Sequence, residues 1–117
     1  MNRQILIVDD DRAMVRTLRD ILSLRGWEIT CAHSGSEAVA LACAHRYPVV
    51  LMDIRMPGMD GIAACKAMKE CTPTTRVVLM TAHAAPEALD EAAREGPVTV
   101  LTKPIDMPGL MELLAAA

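Results

Sequence analysis

The segment Gln4–Asp11 reads QILIVDDD, a nearly continuous apolar run that ends in three aspartates. A short apolar run without polar alternation is typical of a strand buried on both faces, as in a parallel sheet. Val49–Met52 (VVLM) and Arg76–Met80 (RVVLM) have the same character, and each is followed by a polar residue. The three runs predict central strands of a parallel sheet that helices cover on both sides.

Segments with helical features separate these strands. Arg12–Arg25 carries apolar residues on one face, Gly26 stands where a helix end favours glycine, and Ser34 with Glu37 forms a capping box. The remaining predicted elements are strands at Glu28–Ala32 and Val98–Thr102, and helices from Ser34 to about His45, at Gly61–Glu70, at Pro86–Glu95 and from Asp106 to about Ala116.

Five strands that alternate with five helices predict an α/β fold. Right-handed crossovers then give a single doubly wound, five-stranded parallel sheet of flavodoxin-like order 2-1-3-4-5. The sequence shows no linker or internal repeat, so we expect residues 1–117 to form one domain.

The composition excludes several classes of function. A net charge of −3 argues against direct nucleic-acid binding, which requires a basic surface. No apolar run approaches the roughly 18 residues of a membrane span, and no signal peptide precedes the first strand. We therefore expect a cytoplasmic protein that does not bind membranes.

The four cysteines lack the spacing of a metal site. Cys31, Cys43, Cys65 and Cys71 form no CxxC pair and no cluster with histidine at zinc spacing. Small apolar thiols in a reducing compartment are the expected state of all four.

Polar residues follow four of the predicted strands, including the two that flank the predicted switch point of the sheet. Asp9 and Asp10 follow strand one, Asp53 follows strand three, Thr81 follows strand four and Lys103 follows strand five. The carboxyl ends of parallel strands share one edge, where doubly wound folds bind their ligands. Each residue alone could be an ordinary strand end, but together they predict a site.

Two neighbouring aspartates have a simpler explanation. Asp11 is expected to cap the first helix, and Asp60 to be a cap or turn residue. Asp9, Asp10 and Asp53 repel one another if they converge, and a divalent cation would offset that repulsion. All-oxygen ligands with coordination left for water suit Mg²⁺.

The strings LIVDDD (6–11), LMDIRMPGMDG (51–61), LMTA (79–82) and LTKP (101–104) resemble the response-regulator receivers of two-component signalling. The resemblance covers essentially the whole chain, with the strings in order and on the predicted strand ends. It implies that Asp53 accepts a phosphoryl group from a phosphohistidine of a sensor histidine kinase or phosphotransfer protein.

The resemblance also implies a role for each matching position. Asp10, Asp53 and the backbone carbonyl of Arg55 would bind Mg²⁺, and Asp9 would act nearby through water. Thr81 would hydrogen-bond the phosphoryl group, Lys103 would pair with it, and the Lys103–Pro104 peptide bond would be cis. Such a domain catalyses only its own phosphorylation and dephosphorylation.

The sequence departs from the family on the expected output face, which comprises the fourth helix, fifth strand and fifth helix. Val100 replaces a frequent aromatic residue, and the stretch Gly96-Pro97-Val98 replaces a more usual Gly-Ala pair. A downstream protein, an output domain after Ala117 or a second copy of the chain are the partners expected there. The Met1-Asn2 start favours an N-terminal position in any longer protein.

Two other functions remain as alternatives. An aspartyl-nucleophile phosphohydrolase would require a second aspartate two residues after Asp53, where the chain has Arg55. A receiver-like docking module that is not phosphorylated would not need the complete set of pocket residues. No P-loop or GxGxxG motif supports nucleotide binding.

Overall fold

A computed structural model describes residues 3–56, 58–82 and 98–115. The elements of these ranges are β1 Gln4–Val8, α1 Arg12–Leu24, β2 Glu28–Ala32, α2 Gly35–Ala44, β3 Val49–Asp53, α3 Gly61–Cys71, β4 Arg76–Thr81, β5 Val98–Thr102 and α4 Met107–Ala115. The predicted helix at Pro86–Glu95 lies outside the described residues. The other predicted elements are confirmed within two residues at each end.

The five strands form one parallel sheet in the order β2-β1-β3-β4-β5. This is the order predicted from the alternation of strands and helices. The register aligns the carboxyl ends of neighbouring strands, with Val8 beside Met52, Asp53 beside Met80 and Thr81 beside Thr102. The residues that end these strands are therefore brought to one edge of the sheet.

The core lies in two layers, one on each face of the sheet. Alternate residues of β1 and β3 point to opposite faces: Leu6 and Val50 pack with α2 and α3, whereas Ile5 and Leu51 pack with α1 and α4. All four side chains are fully buried. Burial on both faces explains why these strands have no polar alternation.

Side chains at the predicted positions cap the helices. Asp11 Oδ1 accepts from the Met14 N–H at 3.1 Å, Ser34 Oγ from the Glu37 N–H at 3.2 Å, and Asp60 Oδ1 from the Ala63 N–H at 2.8 Å. Gly26, two residues after the end of α1, has φ of 89°, a conformation that glycine adopts without steric cost. These local signals set where the helices begin and end. Within the described ranges, none of the helices combines the length and the apolar character that crossing a bilayer requires.

The expectation that all four cysteines are thiols is wrong for two of them. Cys43 near the end of α2 and Cys71 at the end of α3 form a disulfide, with their Cα atoms 5.5 Å apart. α2 and α3 pack against the same face of the sheet, which brings their carboxyl ends together. Cys31 and Cys65 are not disulfide-bonded, and Cys65 is fully buried, as expected of a small apolar side chain.

Candidate functional site

The predicted site residues lie together at the carboxyl edge of the sheet. Asp9 directly follows β1, Asp53 and Thr81 are the last residues of β3 and β4, and Lys103 directly follows β5. The strands extend one residue further than predicted at Asp53 and Thr81, so the sheet ladder itself fixes these two backbones. Asp9, Asp53 and Thr81 are the polar residues buried at this edge, with 0%, 7% and 2% exposure.

Three carboxylates converge in this pocket. One side-chain oxygen from each of Asp9, Asp10 and Asp53 lies within 4.8 Å of the other two. Asp9 and Asp53 are buried, whereas Asp10 is exposed at the mouth. The cluster predicted from the sequence is therefore present, and its open side faces solvent.

Lys103 bridges the two buried carboxylates. Its Nζ donates to Asp9 Oδ2 at 3.0 Å and lies 3.3 Å from Asp53 Oδ2. The Lys103 side chain is 20% exposed, so its ammonium group is only partly hydrated. One cation shared between two carboxylates partly offsets their repulsion.

Backbone N–H groups hold the remaining carboxylate oxygens in place. The Asp11 N–H donates to Asp9 Oδ1 at 2.9 Å, and the Arg55 N–H donates to Asp53 Oδ1 at 3.3 Å. Each buried carboxylate thus has one oxygen bound by the main chain and the other facing Lys103. This arrangement orients the Asp53 side chain before any ligand arrives.

The electrostatic environment raises the pKa of both Asp53 and Lys103. Burial, and then the Asp9 charge, raise the pKa of Asp53 above its usual range, although Lys103 and the Arg55 N–H oppose the shift. Burial alone would lower the pKa of Lys103, but its hydrogen bond to Asp9 and the charges of Asp9 and Asp53 raise it. The single positive charge of Lys103 does not balance the carboxylates of the pocket.

The donor set of the pocket fits a hard divalent cation. All three side chains offer carboxylate oxygens within reach of one ion, and the exposed side leaves coordination positions for water. A cation there would also offset the repulsion from Asp9, which adds to burial in raising the pKa of Asp53. Asp9, Asp10 and Asp53 could therefore hold Mg²⁺.

The other residues predicted for the site border the pocket. Thr81 is buried at the end of β4, and its carbonyl oxygen accepts from the Lys103 N–H at 2.7 Å. The Arg55 side chain is exposed. The Lys103–Pro104 peptide bond is cis, as the resemblance implies.

Two residues that sequence reasoning did not select also shape the site. His33 follows β2, and its Nδ1 lies 3.2 Å from the Asp9 carbonyl oxygen. Gly61 begins α3 against the β3 end: an added Cβ would overlap the Asp53 carbonyl oxygen and lie 2.9 Å from Ile54 Cα. The glycine after Asp60 in the string LMDIRMPGMDG marks the position of this contact, but it does not give the distance between α3 and β3.

A family model for the response regulator receiver domain matches residues 5–115, nearly the whole chain. The chain belongs to the response regulator receiver domain family. Receiver domains are phosphoacceptor signalling domains of two-component systems, and the strand-edge pocket described above lies within the matched range.

Curated relatives of this receiver domain include proteins of different lengths. It is 42% identical over 111 residues to a response regulator receiver protein of Anaeromyxobacter, covering 95% of this chain and 47% of that protein. It is 45% identical to the regulatory protein AtoC of Escherichia coli, covering 89% of this chain but 23% of AtoC. The sporulation initiation phosphotransferase F of Bacillus subtilis is 35% identical, and the match covers 92% of this chain and 86% of that protein. The chain thus spans less than half of some relatives and most of another.

Solved structures show the same fold. The chemotaxis protein CheY4 of Vibrio cholerae has a TM-score of 0.90 at 28% identity, over 99% of this chain and 98% of that one. A receiver domain protein of Methanospirillum hungatei has a TM-score of 0.94 at 26% identity, over 99% and 93%. The similarity over nearly entire chains confirms the predicted α/β fold.

Proposed function

We propose that Asp53 is the phosphoacceptor of this receiver domain and that a phosphohistidine, on a sensor histidine kinase or a phosphotransfer protein, is the donor. The observation that supports this most directly is the position of Asp53. It is a buried carboxylate within 4.8 Å of two other carboxylates and 3.3 Å from the Lys103 ammonium group. A carboxylate oriented in this way can act as a nucleophile toward phosphorus.

The transfer forms one bond and breaks another. An Asp53 carboxylate oxygen attacks the phosphorus atom, the P–N bond to the donor imidazole breaks, and the histidine leaves. The Arg55 N–H, 3.3 Å from Asp53 Oδ1, keeps the side chain aligned. Alignment and charge stabilisation supply most of the catalysis in phosphoryl transfer.

Asp10, Asp53 and the backbone carbonyl of Arg55 would hold Mg²⁺ directly, and Asp9 would act through water. When bound, the cation supplies positive charge that offsets the charge of the incoming phosphoryl oxygens. Asp9 also keeps Lys103 in the pocket through the 3.0 Å hydrogen bond. That positive charge would also favour the ionised form of Asp53, whose pKa burial and the Asp9 charge raise.

Lys103 and Thr81 would stabilise the product. Phosphorylation adds about one negative charge and new acceptor oxygens to the pocket. Lys103 Nζ, now shared between Asp9 and Asp53, would move to a phosphoryl oxygen, and the Thr81 hydroxyl would donate to another. Because the Lys103 N–H binds the Thr81 carbonyl, the ends of β4 and β5 would adjust together.

We propose that residues 1–117 form one cytoplasmic receiver domain that catalyses only its own phosphorylation and dephosphorylation. Output would pass through a face that includes β5 and α4 to a downstream protein, an attached domain or a second copy of the chain. On this face Val100 is partly buried and packs against the core layer of α2 and α3. Its short branched side chain has one strongly preferred χ1 rotamer, so backbone movement must transmit the change.

Acetyl phosphate tests this proposal without knowledge of the kinase. With Mg²⁺, the parent protein should gain one phosphoryl group by intact mass, and EDTA should prevent the gain. Asp53→Asn should not be labelled, whereas Asp60→Asn, which alters only a helix cap, should be labelled like the parent. Equal labelling of Asp53→Asn would contradict the proposal, and no labelling of the parent would favour a docking module.

A further inference from the structure

The disulfide of Cys43 and Cys71 lies at the end of the domain opposite the acidic pocket. α3 begins at Gly61 beside Asp53 and runs for eleven residues to Cys71, so the two sites are about 15 Å apart. The disulfide joins the carboxyl ends of two neighbouring helices across 28 residues of sequence. It touches none of the residues assigned to phosphoryl transfer.

Both sulfur-bearing residues are accessible to small molecules. Cys43 and Cys71 are exposed, and they line an open cavity of about 410 Å³ together with His45, Arg46 and Thr72. By contrast, Cys65 is fully buried and Cys31 is half-buried, with burial raising the pKa of the Cys31 thiol. The chain thus has one pair of cysteines that a small thiol or disulfide can reach.

The surroundings suit both oxidation states of the pair. The Cα separation of 5.5 Å lies within the usual range of disulfides, so the packing of α2 against α3 accommodates the bond. The disulfide sulfur of Cys71 lies 3.5 Å from the Met68 carbonyl oxygen, which could accept a hydrogen bond from the thiol after reduction. The side chains of His45 and Arg46 line the same cavity, so they border the path by which a small thiol reaches the sulfurs.

We propose that Cys43 and Cys71 form a reversible redox modification site that takes small disulfides and thiols of the glutathione class. Permanent structural disulfides are rare in a reducing compartment. The disulfides that do occur there are usually transient and serve catalysis or redox sensing. This step rests on the cytoplasmic location proposed above, but the chemistry of the pair does not depend on Asp53.

The small disulfide is the oxidant in the reaction that closes the Cys43–Cys71 bond. One cysteine thiolate attacks the S–S bond of oxidised glutathione and releases one reduced glutathione. The second cysteine thiolate attacks the protein sulfur of the mixed disulfide and releases the other. The protein loses two electrons and two protons in total, and the oxidant gains them.

The closed bond clamps α2 to α3 and should stabilise the fold without altering the pocket. Cross-linking residues 28 apart restricts the unfolded chain. The oxidised protein should therefore melt on the order of 10–15 °C above the reduced protein. Acetyl phosphate labelling should proceed at similar rates in the two states, because the pocket lies at the other end of α3.

A glutathione titration of the whole chain tests the proposal. The protein is equilibrated at varied ratios of oxidised to reduced glutathione, quenched with acid, denatured and alkylated, and its thiols are counted by intact mass. Two thiols should disappear together as the oxidised fraction rises, and peptide mapping should place both at Cys43 and Cys71. Cys31→Ser should show the same transition, whereas Cys43→Ser should instead form a glutathione adduct at Cys71.

Three results would overturn the proposal. These are four alkylated thiols at every ratio, a disulfide that includes Cys31 or Cys65, and a Cys43–Cys71 bond that survives a large excess of reduced glutathione in the folded protein. Equal melting temperatures of the oxidised and reduced forms would show that the bond does not clamp the helices. Failure of acetyl phosphate labelling in both redox states would count against Asp53 and leave the thiol titration unaffected.

Discussion

Replacing Gly61 by alanine probes how α3 positions the Asp53 backbone. An alanine Cβ would overlap the Asp53 carbonyl oxygen and lie 2.9 Å from Ile54 Cα and 3.0 Å from the Asp53 carbonyl carbon. These are backbone atoms at the end of a buried strand, so they cannot rotate away as a side chain would. Either α3 or the end of β3 must shift.

The loss of unfolding free energy expected for Gly61→Ala follows from this overlap. Forcing extra volume into a packed site costs typically about 1–3 kcal/mol, and the better helix propensity of alanine returns at most about 1 kcal/mol. We therefore expect Gly61→Ala to lose about 1–2 kcal/mol of unfolding free energy. The displaced Asp53 should also lower the rate of acetyl phosphate labelling by on the order of tenfold.

Gly109→Ala in α4 is a matched control. There an added Cβ would lie 2.8 Å from Asp106 Oδ2, the end of an exposed side chain that can rotate away. This variant should be as stable as the parent or gain up to about 1 kcal/mol. Urea unfolding, monitored by circular dichroism, measures the unfolding free energy of both variants. Parent-like stability of Gly61→Ala, or an equal loss in Gly109→Ala, would refute the reasoning.

Three further predictions concern the charges of the pocket. Mg²⁺ should raise the melting temperature of the parent protein by mass action, and Asp10→Ala should abolish the rise; an unchanged rise would remove Asp10 from the ligand set. In EDTA, stability should fall as pH rises above about 4, because a raised Asp53 pKa means that the fold binds this proton more tightly than the unfolded chain does. Asp53→Asn should reduce that fall in urea titrations at pH 4 and pH 7, and an equal fall would contradict the assigned cause. Arg55→Ala should change the rate of decay of the phosphorylated protein several-fold with little change in stability. The reason is that the exposed Arg55 side chain borders the pocket and can orient attacking water. An unchanged decay rate would indicate that Arg55 is only a solvated loop residue. We also expect His83 to affect this decay and the loop Ala82–Ala85 to move on phosphorylation, but His83 and most of that loop lie outside the described residues.

Much of the site could be predicted because topology fixes where strand ends meet. Apolar runs identified β1, β3 and β4, the alternation with helices fixed their order, and the residues after each run were thereby placed at one edge. Asp9, Asp10 and Asp53 are consequently close together, as expected. The helix caps were predictable because a cap depends on residues only three positions apart.

The features that were missed depend on contacts between distant segments. The overlap at Gly61 depends on how closely α3 approaches β3, and no local pattern gives that distance. Similarly, the Cys43–Cys71 bond needs two helix ends to be adjacent, and cysteine spacing alone does not give this. The sharing of Lys103 between Asp9 and Asp53 depends on the path of a flexible side chain.

Direct mapping of the acyl phosphate tests the central claim, that Asp53 rather than a neighbouring carboxylate is the nucleophile. The protein is labelled with acetyl phosphate and Mg²⁺, reduced with borohydride, which converts an aspartyl phosphate to homoserine, and digested for peptide mass spectrometry. Asp9, Asp10 and Asp53 share one pocket, so total labelling does not distinguish them. The geometry predicts homoserine at position 53 alone, because Asp9 is fully buried and bound by Lys103 and the Asp11 N–H, and Asp10 is at the exposed mouth. Homoserine at position 9 or 10, or an unmodified position 53 in a labelled protein, would contradict the account.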